Sequence, residues 1–162
     1  MGIKVNVKWG KKNTKGNYSC KGKTLKDVER FLLLRGHAGK FDFRMGNQYR
    51  MDNDGNITSI TLIPSWKITM PKWSGYSKVS KDDKKAWDHM WKELFKHEDG
   101  HREIFEKDLK KFAGKLKKQK NLDEDRFQEL FDEAIEHFQD GQDHFDKKTN
   151  HGAEHIHFGH DH

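Results

Sequence analysis

The chain has 162 residues, enough for one domain with a modest core, and a formal net charge of +6 at pH 7. Only 32% of residues are hydrophobic and 36% are charged, a balance that borders on disorder, yet five Trp, eleven Phe and three Tyr at regular spacing supply a compact aromatic core. A single Cys excludes a disulfide framework and a Cys-rich zinc site, and no apolar run is long enough to span a membrane.

In chain order, Ile3 to Trp9 alternates apolar and polar residues, the period of a half-buried strand. Met1 leads straight into that run with no basic-then-apolar leader, which fits either a cytosolic protein or the mature form of an exported one. A Lys/Gly/Asn-rich loop is expected next. Thr24 then opens a helix, with Asp27 as its capping partner, Gly36 as its stop, and Leu25, Val28, Phe31 and Leu32 as its apolar face. Lys40 to Trp73 reads as β structure. Asp54-Gly55 is a hairpin turn between Gln48–Met51 and Asn56–Ile63, and Trp66 to Trp73 reads as a strand ended by proline.

Ser80 and Asp83 form a second capping pair and start a long helix. Its apolar stripe passes through Trp87, Met90, Leu94, Phe105, Leu109 and Phe112. Midway lies His97-Glu98-Asp99-Gly100-His101, an H-E-x-x-H box on the inward side of the stripe. Residues four apart share a helix face, so two imidazoles can reach one zinc ion and Glu98 can reach the water beside it. Gly100, poor for a helix interior, leaves room for another chain segment or a substrate. A last helix is expected from about Asp123 to Gln139. The whole is an α+β domain: a β-rich N-terminal part with one helix, then the long active-site helix and a C-terminal helix.

Catalytic zinc generally takes three protein ligands. His97 and His101 supply two, and the short His-x-x-Gly-x-x-His continuation is absent because Ile104 and Lys107 stand at those places. The third ligand therefore comes from beyond the helix, with Glu129, Glu133, Glu136, His137, His144 and His151 as candidates.

Trp66 to Trp73, Trp87, Trp91, the H-E-x-G-H box and Phe145-Asp146-x-x-Thr149-x-His151-Gly152 together resemble a bacterial family of predicted secreted zinc-dependent proteases. That family was long catalogued as a domain of unknown function and belongs to the zincin clan. The resemblance covers roughly residues 60–152, and the box with its downstream aromatic-Asp-x-x-Thr-x-His-Gly run is much more specific than the box alone. It implies a zincin-like fold over residues 1–152 and a secreted or periplasmic location. It also implies that His151 is the third zinc ligand, with Asp146 and Thr149 shaping the turn that presents it. The family's aromatic is usually Tyr. Here it is Phe145, which removes a hydroxyl that would help stabilise the transition state. Residues 153–162 are expected to be a disordered His-rich tail.

The activity expected is metalloendopeptidase, with one zinc and a polypeptide substrate. Glu98 takes a proton from the attacking water and passes it to the leaving amine. Tyr76, His137 and His144 are candidates for the oxyanion donor, His144 ranking first because it lies near the third-ligand turn. The strand bearing Trp66, Ile68 and Met70 is the candidate edge for pairing with an extended substrate. The rival reading is a non-catalytic zinc-binding domain, an inhibitor or adaptor that kept the fold.

Charge is uneven: residues 1–81 carry 17 basic and 5 acidic groups, net +12, and residues 82–162 carry 15 and 21, net −6. A basic half admits a nucleic-acid partner, but no base-stacking motif accompanies it, so nucleic acid is not expected and the chain is read as a monomer.

Overall fold

The computed structural model describes residues 2–149 and is α+β. The elements run β1 (Lys4–Val7), β2 (Lys12–Cys20), α1 (Leu25–Arg35), β3 (Lys40–Met51), β4 (Ile57–Trp73), α2 (Lys81–Lys117) and α3 (Glu124–Lys148), with a short 3-10 turn at Tyr76–Lys78. The four strands form one sheet in which β4 pairs with each of the others, and β1 joins it in parallel from Lys4 opposite Ser59 to Val7 opposite Leu62.

Three elements differ from the sequence reading. The Lys/Gly/Asn-rich segment is strand β2 and not a loop, held by main-chain pairing to β4. The two runs Asn56–Ile63 and Trp66–Trp73 are one 17-residue strand that passes through both Pro64 and Pro71. Proline removes only a donor. Here both carbonyls are used as acceptors, Pro64 from the Gly10 N–H at 2.8 Å and Pro71 from the Trp91 indole at 3.1 Å. Finally, α3 continues nine residues past Gln139 to Lys148.

The chain divides into two compact units. One comprises the chain through Lys12, Phe43–Trp66 and Arg102–Asp143. Its core is aromatic. Phe105 is fully buried, stacks on Phe43 at 4.8 Å and meets Phe138 edge-on at 5.6 Å, and Ile60, Leu62, Leu116 and Leu130 are buried in the same unit. The Asp54-Gly55 turn is present as expected, with the Asp52 carboxylate accepting from the Asp54 and Asn56 N–H groups, each at 2.9 Å. Asp123 caps α3 by accepting from the Arg126 N–H at 2.8 Å.

The other unit comprises Asn13–Asp42, Lys67–His101 and, among the described residues, 144–149. Thr24 accepts from the Asp27 N–H at 3.2 Å and Ser80 from the Asp83 N–H at 3.2 Å, so both expected caps form. Val28 and Leu32 of α1 are fully buried with Cys20, Ile68, Met90 and Leu94. Burying each aliphatic side chain contributes roughly 1.5–3 kcal/mol. Indole donors tie the elements together, Trp73 to the Gly22 carbonyl at 2.7 Å and Trp91 to that of Pro71 at 3.1 Å.

Candidate metal centre

The box sits on α2 within the second unit, and the helix brings its three chemical residues inward. His97, Glu98 and His101 are 5%, 3% and 4% exposed, and one ligand atom from each lies within 4.8 Å of the others. Burying two imidazoles and a carboxylate is costly unless they are paired or bind a cation. Their neighbours are therefore informative.

The C-terminal turns of α3 provide the first. Asp146 Oδ1 lies 2.6 Å from His101 Nε2 and 3.3 Å from His97 Nε2, so one carboxylate oxygen faces both imidazoles. Phe145, one residue earlier, stacks on His101 at 4.7 Å and meets His97 edge-on at 4.9 Å. The His101 ring also lies parallel to that of Phe41 at 6.0 Å. Both imidazoles are thus fixed by aromatic neighbours.

Gly100 explains how α3 comes so close. A Cβ there would stand 2.7 Å from Phe145 Cζ, well inside contact distance. The room left beside the box is filled by this ring, the chain-segment alternative of the sequence reading. Thr149 closes the helix end: its hydroxyl donates to the Phe145 carbonyl at 2.7 Å and its N–H to the same oxygen at 3.0 Å.

Glu98 occupies a second notch. A Cβ on Gly39 would lie 2.8 Å from Glu98 Cγ, so the bare backbone before β3 packs directly on the carboxylate's stem. The Tyr18 hydroxyl donates to the neighbouring Ala38 carbonyl at 2.5 Å and holds that backbone in place. Glu98 Oε1 lies 3.7 Å from His97 Nε2. Burial raises the Glu98 carboxyl to about 7, while His101 and His97 pull it down and Asp146 and Asp42 push it up.

The remaining expected site residues fall as follows. His144 is exposed on α3, and Tyr76 is half-buried with its hydroxyl donating to Asp88 at 3.0 Å. Glu129, Glu133, Glu136 and His137 are exposed and belong to the first unit, where Glu129 pairs with Arg126 at 2.9 Å. Trp66, Ile68 and Met70 are buried, and their strand is the one that pairs with all the others, with the Trp66 N–H already donating to the Lys11 carbonyl at 3.0 Å. β1 and β2 stand at the two ends of the pairing order, each beside β4 among the described residues. His151 and the His-rich tail lie outside the described residues.

In the sequence, Asp146 has only a turn-shaping role. Because α3 continues through it, Asp146 is helical and its side chain reaches the box. The signal is present in the spacing: Phe127, Leu130, Phe131, Ala134 and Phe138 set a helical face that Gln142 and Phe145 extend.

The donor set could hold a metal ion: two imidazole nitrogens and carboxylate oxygens converge in a buried position.

A family described as bacterial protein of unknown function (DUF922) matches residues 16–152, from within β2 past the end of α3. No curated protein and no solved structure matches this chain.

Proposed function

This chain belongs to the DUF922 family of bacterial proteins, and from that premise we propose that it is a zinc-dependent metalloendopeptidase with a zincin-like active site. The observation that carries the reading is the buried triplet on one face of α2: His97 and His101 with converging Nε2 atoms, and Glu98 buried beside them. A structural zinc needs no carboxylate held as a base, because it is closed by ligands alone.

His97 and His101 are the first two ligands, and the resemblance adds His151. A zinc ion held by these side chains would supply Lewis-acid chemistry, a water made acidic near neutrality and a polarised substrate carbonyl. Glu98, fixed by the Gly39 backbone, accepts the proton of the attacking water at Oε1 and returns it to the leaving amine. Phe41 and Phe145 hold the His101 ring, and Phe145 also braces His97, so the imidazoles need little reordering to coordinate.

An apolar groove in the same unit, lined by Met70, Trp73, Trp87 and Trp91 with Lys15 and Lys92 at its rim, supports a polypeptide substrate. Trp91 lies six residues before His97 on α2, about 9 Å along the helix at 1.5 Å per residue. The exported compartment is part of the same proposal and rests on the resemblance. No helix among the described residues is long and apolar enough to cross a membrane.

The test is to load the protein with zinc and offer it a diverse peptide library, beside Glu98→Gln. Cleavage by the native protein and its loss in a variant that still binds zinc supports the reading. The rival, a zinc-binding domain without activity, predicts one zinc per chain and no cleavage by either.

A further inference from the structure

Asp146 places one carboxylate oxygen against both box imidazoles, and its geometry asks for a cation. A carboxylate is an acceptor only, and a neutral imidazole nitrogen without its proton is an acceptor too. Oδ1 stands 2.6 Å from His101 Nε2 and 3.3 Å from His97 Nε2. Three such atoms repel one another unless protons or a cation lie among them. A hydrogen bond from either imidazole to Oδ1 requires the proton to sit on its Nε2. When a cation replaces those protons, the same three atoms become its donors.

We infer that Asp146, through Oδ1, is the third protein ligand of the metal held by His97 and His101, in the place the resemblance gives to His151, so that a fourth position stays open for water. The inference rests on the metal-binding part of the proposed function and deepens it. Donors around a tetrahedral zinc at about 2.0–2.1 Å are separated by roughly 3.3 Å. The His97 Nε2 to Asp146 Oδ1 distance is already 3.3 Å, and the 2.6 Å contact to His101 is a hydrogen bond that opens when its proton leaves.

The two nearby carboxylates divide their roles by position. Glu98 Oε1 is 3.7 Å from His97 Nε2, and its stem is pressed against Gly39, so it stands beside the donor set. Asp146 faces both nitrogens with one oxygen. Its placement is built by the fold: Phe145 fills the notch at Gly100 and lies on both imidazoles, and Thr149 locks the last turn of α3 through the Phe145 carbonyl. A side chain held this way loses little freedom when it coordinates, which is the condition for a tight ligand.

The experiment uses the full chain and zinc or cobalt(II) alone, with no substrate. Asp146→Ala should lower zinc affinity by more than about hundredfold, beyond the 10–100-fold typical of an outer partner of a ligand. A smaller loss overturns the inference. Asp146→Cys, loaded with cobalt(II), should show a sulfur-to-cobalt charge-transfer band in the near ultraviolet that the native protein, whose Cys20 is buried elsewhere, lacks. A purely structural Asp146 gives no such band, and its absence from a folded, cobalt-loaded variant overturns the inference while leaving the His97–His101 site intact. If the native chain itself binds no zinc, the metalloprotease reading falls with it.

Discussion

Substituting Gly100 by Ala tests whether α3 is seated on the box, and Gly114 on the same helix supplies the control. Alanine in an open helix interior is more favourable than glycine by about 1 kcal/mol. A Cβ at position 114 meets nothing within 4 Å, so Gly114→Ala should stabilise the protein by about that amount. At position 100 the new atom would stand 2.7, 3.1 and 3.2 Å from three atoms of the Phe145 ring. Overpacking of this kind costs roughly 1–3 kcal/mol. Set against the propensity gain, Gly100→Ala should be neutral to about 2 kcal/mol destabilising. Removing the ring first should reverse the sign: in a Phe145→Ala background, Gly100→Ala should stabilise much as Gly114→Ala does, giving a coupling of roughly 1–3 kcal/mol. Urea denaturation of the metal-free proteins reads all of these. If Gly100→Ala stabilises the native background as much as Gly114→Ala, the Phe145 ring does not sit against the box.

Further expectations concern the carboxylate and its supports. Burial raises the Glu98 carboxyl from 4.5 to about 7, so the folded metal-free chain keeps a proton that the unfolded chain releases. The associated stability is full below the lower value and is lost as pH rises through the upper one, by at most about 3 kcal/mol. Glu98→Gln should therefore match the native metal-free protein near pH 4 and be the more stable near pH 8; identical unfolding curves at both would contradict this. Gly39→Ala forces a Cβ to 2.8 Å from Glu98 Cγ. It should cut kcat at least roughly tenfold while leaving zinc affinity within about threefold. An equal loss of zinc affinity would mean that Gly39 supports the ligands and not the base. Phe145→Tyr adds a hydroxyl on Cζ, the ring atom set deepest into the notch at Gly100, and should cost the metal-free fold roughly 1–3 kcal/mol. Unchanged urea denaturation would mean that the notch has room to spare.

Much of this architecture is legible in the sequence because local chemistry and tertiary demands agree. Thr24 with Asp27 and Ser80 with Asp83 are capping pairs whose hydrogen bonds form as read, and the box lies on the inward side of an apolar stripe that is indeed buried. Where the structure departs from the reading, a neighbour overrules a local signal. The Lys12–Cys20 segment has little strand propensity of its own and becomes β2 by pairing with β4. Pro64 and Pro71 look like strand ends, but their carbonyls are used and their missing donors cost the sheet little. The reading ends the last helix near Gln139, but α3 runs on through Gly141, where a Cβ would lie 3.0 Å from Asp108 Oδ2. That extension places Phe145 and Asp146 at the box, and no property of Asp146 taken alone announces it.

The central claim is that His97 and His101 hold zinc so that Glu98 can activate water for peptide hydrolysis. The most direct measurement is the peptide-cleavage rate of the zinc-loaded native chain and of Glu98→Gln at equal zinc content. Cleavage by the native protein is expected, with a loss of roughly 10²–10⁴-fold in the variant. A native protein carrying one zinc that cleaves nothing in a diverse library, or a variant that cleaves as fast, would contradict it.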